Sequence, residues 1–206
     1  MRSVRPPFFL RWFNPDHLLC RVPVKDKVLY LTFDDGPVPE ATPEVLDILA
    51  ERQVRATFFV VGNNVVLHPG IFNRLLQEGH AVGNHTFHHL NGWKTPTAIY
   101  LEDTQHCSRH IQAKLFRPPY GRFTPVQYAL LRKDFRIVLW SVLTYDFDRQ
   151  VSPQDCLSLA INHTSKGAII VFHDSIKAIE KVRYALPRFI DHFLDAGYRF
   201  ETLPQG

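Results

Sequence analysis

At 206 residues, 45% apolar and 21% charged, the chain has the size and make-up of one soluble globular domain, or one domain with a short extension, able to bury a full core. A formal net charge of +4 comes from scattered Lys and Arg, and the absence of a basic stripe interleaved with aromatics excludes a nucleic-acid binder. Cys20, Cys107 and Cys156 are odd in number and far apart, which excludes a disulfide framework and a cysteine zinc site and fits a reducing compartment.

The chain opens with Arg2, Arg5 and Arg11 around the short apolar stretch 8–10. That stretch falls short of the about 7–15 apolar residues of a signal-peptide core, and no run approaches the ~18 of a membrane span. The expectation is a cytoplasmic protein with no membrane span. Phe8, Phe9, Leu10, Trp12 and Phe13 read either as an arm packed on the domain or as an interfacial segment in peripheral membrane contact. Residues 1–25 are expected to form this arm and residues 26–206 the folded domain.

Strand and helix patterns then alternate. Residues 28–33 read as a buried strand. Thr42 caps a helix that has Pro43 at its first position and runs through Glu51. Residues 56–61 are a second strand, 69–78 a helix that Gly79 ends, and 80–83 a short third strand. Thr95 and Pro96 open a long helix reaching about residue 113. A fourth strand at 114–117, a helix at 125–133 and a fifth strand at 136–140 follow. Ser152 caps a helix from Pro153 to about Thr164, and 168–172 is a sixth strand. A helix at 179–196 and a strand at 198–202 complete the chain. About seven alternations predict a parallel sheet covered by helices. A closed barrel and an open doubly wound sheet both satisfy the pattern. Asp34, Asp35, His85, Arg117 and His173 all lie at or just past a strand's C-terminal end, where both architectures place function. Residues from so many strands converge more easily in a barrel.

Four segments carry chemistry. Thr32-Phe33-Asp34-Asp35-Gly36-Pro37 follows an apolar strand, so its two carboxylates point in different directions. One can bind a metal while the other faces a reacting water; as a solvated turn the segment would be equally well formed. His85-Thr86-Phe87-His88-His89 has its outer histidines four apart, a spacing that puts both on one face of a helical turn and leaves His88 off it. Two imidazoles and one carboxylate are a metal donor set with a position left for water. Arg117-Pro118-Pro119-Tyr120-Gly121 is a stiff turn with a fixed cation, able to pair with Asp34, and with a Tyr120 N–H able to face a developing oxyanion. Val171-Phe172-His173-Asp174 ends the sixth strand and offers His173 as a proton donor to a leaving amine.

In order and spacing, Thr32–Pro37, His85–His89 and Arg117–Gly121, followed by His173, resemble the polysaccharide deacetylase family, carbohydrate esterase family 4, with its NodB homology domain; the likeness covers residues 26–204. The resemblance implies a distorted (β/α) barrel of about seven parallel strands and removal of N-acetyl groups from an amino sugar or its oligosaccharide or polysaccharide. It implies a divalent ion, Zn²⁺ by its donor set, held by Asp35, His85 and His89. It further implies Asp34 as base, Arg117 as the partner of that base, Tyr120 as backbone oxyanion donor and His173 as acid. Three positions depart from the family pattern. In Leu143-Thr144-Tyr145-Asp146-Phe147, where the family has Asp-x-x-Asp-Trp, Leu143 replaces an Asp expected to orient the acid and Phe147 replaces the Trp; Asp146 and Asp148 are the candidates to take over. Val171 replaces the Leu that precedes the acid. Trp140 and Phe147 are candidate sugar-stacking surfaces, Trp140 being better placed for core packing. Two other readings use the same residues: an amidase acting on a non-sugar amide, and a glycan-binding module that has lost catalysis, supported by Leu143.

Overall fold

A computed structural model describes residues 18–205. The aromatic run from Phe8 to Phe13, and the choice between packed arm and interfacial segment, lies outside the described residues. The chain order is β1 (Leu18–Leu19), β2 (Val28–Asp34), α1 (Thr42–Glu51), β3 (Thr57–Val60), α2 (Gly62–Leu67), α3 (Pro69–Gln77), β4 (Ala81–Asn84) and α4 (Thr97–Ser108). It continues with β5 (Leu115–Phe116), α5 (Pro125–Leu131), β6 (Arg136–Val138), β7 (Val142–Leu143), α6 (Pro153–His163), β8 (Ile169–His173), α7 (Ile179–Asp195) and β9 (Arg199–Phe200).

β2 is buried along its whole length. A strand covered on both faces needs no polar side, which is why it reads as one apolar run. It lies between β3 and β8, with Thr32, Phe33 and Asp34 opposite Thr57, Phe58 and Phe59 on one side and opposite Val171, Phe172 and His173 on the other. Among the described residues nine strands form the sheet, in the order β1-β6-β5-β4-β3-β2-β8-β7, with β9 added on β2, and all these pairings are parallel. The sheet curls into a distorted (β/α) barrel. Its two edges approach at Ser141, whose Oγ donates to the Cys20 carbonyl at 2.7 Å while its N–H donates to the Ile169 carbonyl at 2.9 Å. The stack of Phe33 on Phe58 joins neighbouring strands, and the contact of Phe172 with Phe189 joins the sheet to its helical cover. Each such buried ring contributes roughly 1.5–3 kcal/mol. α7 supplies the largest covering face: Ile179, Val182, Leu186, Phe189, Ile190 and Phe193 recur every three or four residues and form one buried stripe.

Three expectations change. Among the described residues the strands number nine where about seven were expected, because β1 and β7 have two residues each and carry no pattern of their own; β1 also lies ahead of residue 26, within the stretch expected to be an arm. The helix after Pro96 stops at Ser108, where the chain turns, rather than near residue 113. Thr42 does not cap α1. It is the helix's first residue, and its hydroxyl serves the Val38 N–H and the Asp174 carboxyl instead. Ser152 does cap α6, accepting the Asp155 N–H at 3.0 Å.

Candidate active site

The C-terminal ends of β2, β4, β5 and β8 meet on one side of the barrel, and the residues singled out in the sequence lie there. Asp34 is the last residue of β2 and stands in register with His173 at the end of β8. The chain then turns sharply: Asp35 has φ 88°, in the left-handed region, so its side chain leaves the direction of Asp34. Asn64 Nδ2 holds the Asp35 carbonyl at 2.8 Å, and Asp174 Oδ1 accepts the Gly36 N–H at 3.1 Å. Gly36 is required by this close approach, since a Cβ there would lie 1.9 Å from Asp174 Oδ2.

Asp35, His85 and His89 converge, with one donor atom of each within 4.8 Å of the others. Asp35 Oδ1 is 3.2 Å from His89 Nε2 and 3.9 Å from His85 Nε2. Tetrahedral zinc bonds of about 2.0–2.1 Å place ligand atoms about 3.3 Å apart, so the donors fit such an ion with small adjustments. The tautomer fits as well. His85 Nδ1 lies 2.7 Å from the Arg117 carbonyl, which can only accept, so Nδ1 carries the proton and Nε2 offers its lone pair. Burial, with the nearby His89 adding to it, pulls His85 down to about 4 against the opposing charges of Asp34 and Asp35, so the ring is neutral at pH 7. Burial alone would raise Asp35; the His89 hydrogen bond and the charges of His173, His85 and His89 outweigh it and hold the carboxyl well below its usual range.

The two histidines do not meet on a helical turn as their spacing suggested. Residues 85–91 form no helix, and Thr86 (φ 64°) and His89 (φ 56°) are left-handed. Such backbone persists only where its surroundings fix it. Asn84 Oδ1 accepts the Thr86 N–H at 2.8 Å, and Thr86 Oγ1 accepts the Leu90 N–H at 3.1 Å. Asp103 on α4 accepts the N–H groups of Phe87 and His88 at 2.9 and 3.0 Å and also holds His88 Nδ1, which keeps His88 apart from the other two.

Arg117 is fully buried and reaches Asp34 Oδ1 at 2.6 Å and Thr32 Oγ1 at 2.9 Å. Its other nitrogens donate to the Val138 and Leu139 carbonyls, and its plane lies 4.0 Å from the centre of the Phe59 ring. Burial draws the guanidinium's pKa down, opposed by Asp34. Tyr120 also has a left-handed φ, of 60°, and rests its ring edge-on against His89 at 4.7 Å; among the described residues its N–H meets no acceptor. His173 Nδ1 is 2.8 Å from Asp146 Oδ1, and its N–H donates to Asp146 Oδ2 at 2.6 Å. Burial disfavours the imidazolium, but the charge and hydrogen bond of Asp146, with Asp35 and Asp34 behind it, carry His173 up to about 10.

The departure at Leu143 therefore does not leave His173 unsupported. Asp146 holds it; Asp148 does not. Leu143 is a strand residue beside Val171. Phe147 stands edge-on to His173 at 4.9 Å and is partly exposed, whereas Trp140 lies half-buried against Gly121. Sequence reasoning missed Asn84, Asp103 and Asp174. The signal for Asp103 was a carboxylate on the buried face of a helix. Asp174 carried one too, as the alternation partner of His173. Burial pushes the Asp174 carboxyl up to about 8; the Thr42 hydrogen bond opposes this and the Asp35 charge adds to it.

A sequence profile described as Polysaccharide deacetylase matches residues 21–134. The chain is 35% identical over 182 residues to a peptidoglycan-N-acetylglucosamine deacetylase of Bacillus cereus, covering 84% of this chain and 66% of that protein, just under two thirds of its length. It is 36% identical over 154 residues to a chitooligosaccharide deacetylase of Bradyrhizobium sp. (strain ANU 289), covering 71% and 70%. The crystal structure of the Bc1960 peptidoglycan N-acetylglucosamine deacetylase, solved with a hydroxamate-type benzamide, superposes with a TM-score of 0.85 at 33% identity over 94% of each chain. The profile covers more than half of the chain, relatives and fold agree with it, and the chain belongs to the polysaccharide deacetylase family.

Proposed function

We propose that the chain is a metal-dependent hydrolase that removes N-acetyl groups from amino sugars within an oligosaccharide or polysaccharide such as peptidoglycan or a chitooligosaccharide. The observation that carries this reading is the convergence of Asp35, His85 and His89 beside two separately supported proton-transfer groups, Asp34 held by Arg117 and His173 held by Asp146. A divalent ion in the Asp35–His85–His89 cluster, Zn²⁺ by the nature of the donors, would supply Lewis acidity toward the acetyl carbonyl and lower the pKa of water.

The chain's own groups divide the remaining work. Arg117 engages Asp34 Oδ1, which leaves Oδ2 to take a proton as water adds to the carbonyl carbon. The Tyr120 N–H faces the oxygen on which charge develops. With Nδ1 bound to Asp146, His173 donates from Nε2 to the nitrogen as the C–N bond breaks, so acetate and a free amine leave. The glycan-binding reading without catalysis drew its support from Leu143, and Asp146 removes that support.

The test is acetate release from N-acetylglucosamine oligomers and from peptidoglycan glycan strands, with metal content measured on the same sample. Metal-loaded protein releases acetate and exhaustively chelated protein does not. Activity undiminished by chelation would sink the metal mechanism. Ammonia release from cyclic amides with no acetate from any sugar would replace this reading with the non-sugar amidase.

A further inference from the structure

The loops beside the site carry a feature that the reaction above does not use. Trp93 lies in the short turn Gly92–Lys94, four residues past His89, and 65% of its surface is exposed. It is nevertheless fixed. Asn91 Oδ1 accepts its N–H at 3.0 Å, and its Nε1 donates to the Phe123 carbonyl at 3.1 Å. Arg122, two residues past Tyr120, sets its guanidinium 4.9 Å from the centre of the indole. Buried Gln127 ties the two loops together, donating to the Gly92 and Thr95 carbonyls at 3.0 and 3.3 Å and accepting the Thr124 N–H at 2.9 Å. An indole held this firmly yet largely exposed is a preformed stacking surface, since little entropy remains to be lost when the apolar face of a sugar ring covers it.

The charge on this surface is equally specific. Arg122 is exposed and, among the described residues, has no carboxylate partner, so its fork of donors is open to a bidentate carboxylate. Lys94, Arg149 and Lys177, in the loops that follow β4, β7 and β8, also lack acidic partners among the described residues. The mouth of the barrel thus offers cations to an arriving chain. The surface is close to the reacting centre: Tyr120 touches the His89 ring, and two residues of chain reach at most about 7 Å, which bounds the distance from Tyr120 to Arg122.

We propose that Trp93 and Arg122 form a subsite for a carboxylate-bearing sugar that flanks the N-acetyl residue being hydrolysed, so that an acidic amino-sugar glycan is preferred over a neutral one. The inference rests on the deacetylase reading and adds the charge of the substrate to it. Three probes test it: peptide-free strands of alternating N-acetylglucosamine and N-acetylmuramic acid, the same strands with their carboxylates methyl-esterified, and strands still carrying peptide stems. Wild-type kcat/KM on the acidic strand exceeds that on the esterified strand by about tenfold at low salt, the size of one charge-assisted contact, and the gap narrows as salt rises. Arg122→Gln brings the acid-to-ester ratio close to one, and Arg122→Lys leaves it intermediate. A wild-type ratio near one, a ratio unchanged in Arg122→Gln, or a preference seen only when stems are present overturns the proposal. Calorimetric binding of the first two strands gives the same ratio without turnover. Absence of acetate release from every strand and from N-acetylglucosamine oligomers therefore refutes the deacetylase reading, while the binding ratio still decides this one.

Discussion

Asp146→Asn isolates the support of the proposed acid. In the wild type the carboxylate faces His173 Nδ1 at 2.8 Å and accepts the His173 N–H at 2.6 Å. The backbone N–H is an obligate donor, so an Asn placed there turns its oxygen to that N–H and its NH₂ to the ring. Nδ1 must then accept, and the imidazolium loses both its charge partner and its hydrogen bond while burial still opposes it. The His173 pKa accordingly falls from about 10 to at most its ordinary 6.5. At pH 8 the protonated fraction drops from near unity to about 3%, so kcat/KM falls at least about 30-fold, with a much smaller loss at pH 5.5. The assay is a pH profile of acetate release on metal-loaded protein: the alkaline limb moves down by at least about 3.5 pH units. Stability follows the same linkage. A pKa raised in the folded state contributes stability that is fully present below about pH 6.5 and lost as the pH rises through about 10, and the variant lacks this dependence in urea titrations. An alkaline limb that stays in place in Asp146→Asn, with only a uniform drop in rate, would refute the assignment of His173 as acid.

Three further predictions concern the other groups. Arg117→Met leaves the Asp34 carboxylate buried and unpaired, and urea unfolding should show a loss of about 3–5 kcal/mol, the range for breaking a buried ion pair; a loss under about 1 kcal/mol contradicts the burial argument. His85→Ala should abolish metal retention on dialysis, whereas Asp34→Asn should keep the metal by elemental analysis and lose about 10²–10⁴-fold in kcat; equal metal loss in both would erase the distinction between ligand and base. Gly36→Ala drives a methyl into Asp174, and metal affinity should fall about 10–100-fold in competition with a chelator, with partial recovery in Gly36→Ala/Asp174→Ala.

The parts of the fold that the sequence made legible are those whose pattern is set locally or by complete burial. β2, β3 and β8 read as apolar runs because neither face meets water. The buried stripe of α7 repeats long enough to be read directly. β1 and β7, of two residues each, exist through register with β6 and β8 and could not announce themselves. The metal-binding candidates were legible for a reason that proved different from the real one. A four-residue spacing selected His85 and His89, yet it is Asn84, Thr86 and Asp103 that bring them together on a loop with two left-handed residues. Thr42 misled as a cap because its true partner, Asp174, lies 132 residues along the chain.

That last contact explains how two neighbouring aspartates come to point to different partners. β2 and β8 lie in parallel register, with Asp34 opposite His173 and the Asp174 N–H donating to the Asp34 carbonyl at 3.1 Å. Alternation sends successive strand side chains to opposite sides, so His173 faces Asp146 while Asp174 turns beneath the loop that follows β2. There it takes the Gly36 N–H and the Thr42 hydroxyl, which links that loop to the start of α1. With Gly36 pinned from below, Asp35 is left to turn at φ 88° toward the histidines, while Asp34 stays in line with its strand and with Arg117. The proposed division between base and ligand would thus be set from β8, by the residue next to the proposed acid. A substitution at Asp174 should accordingly act first on metal binding and only secondarily on the His173 limb of the pH profile.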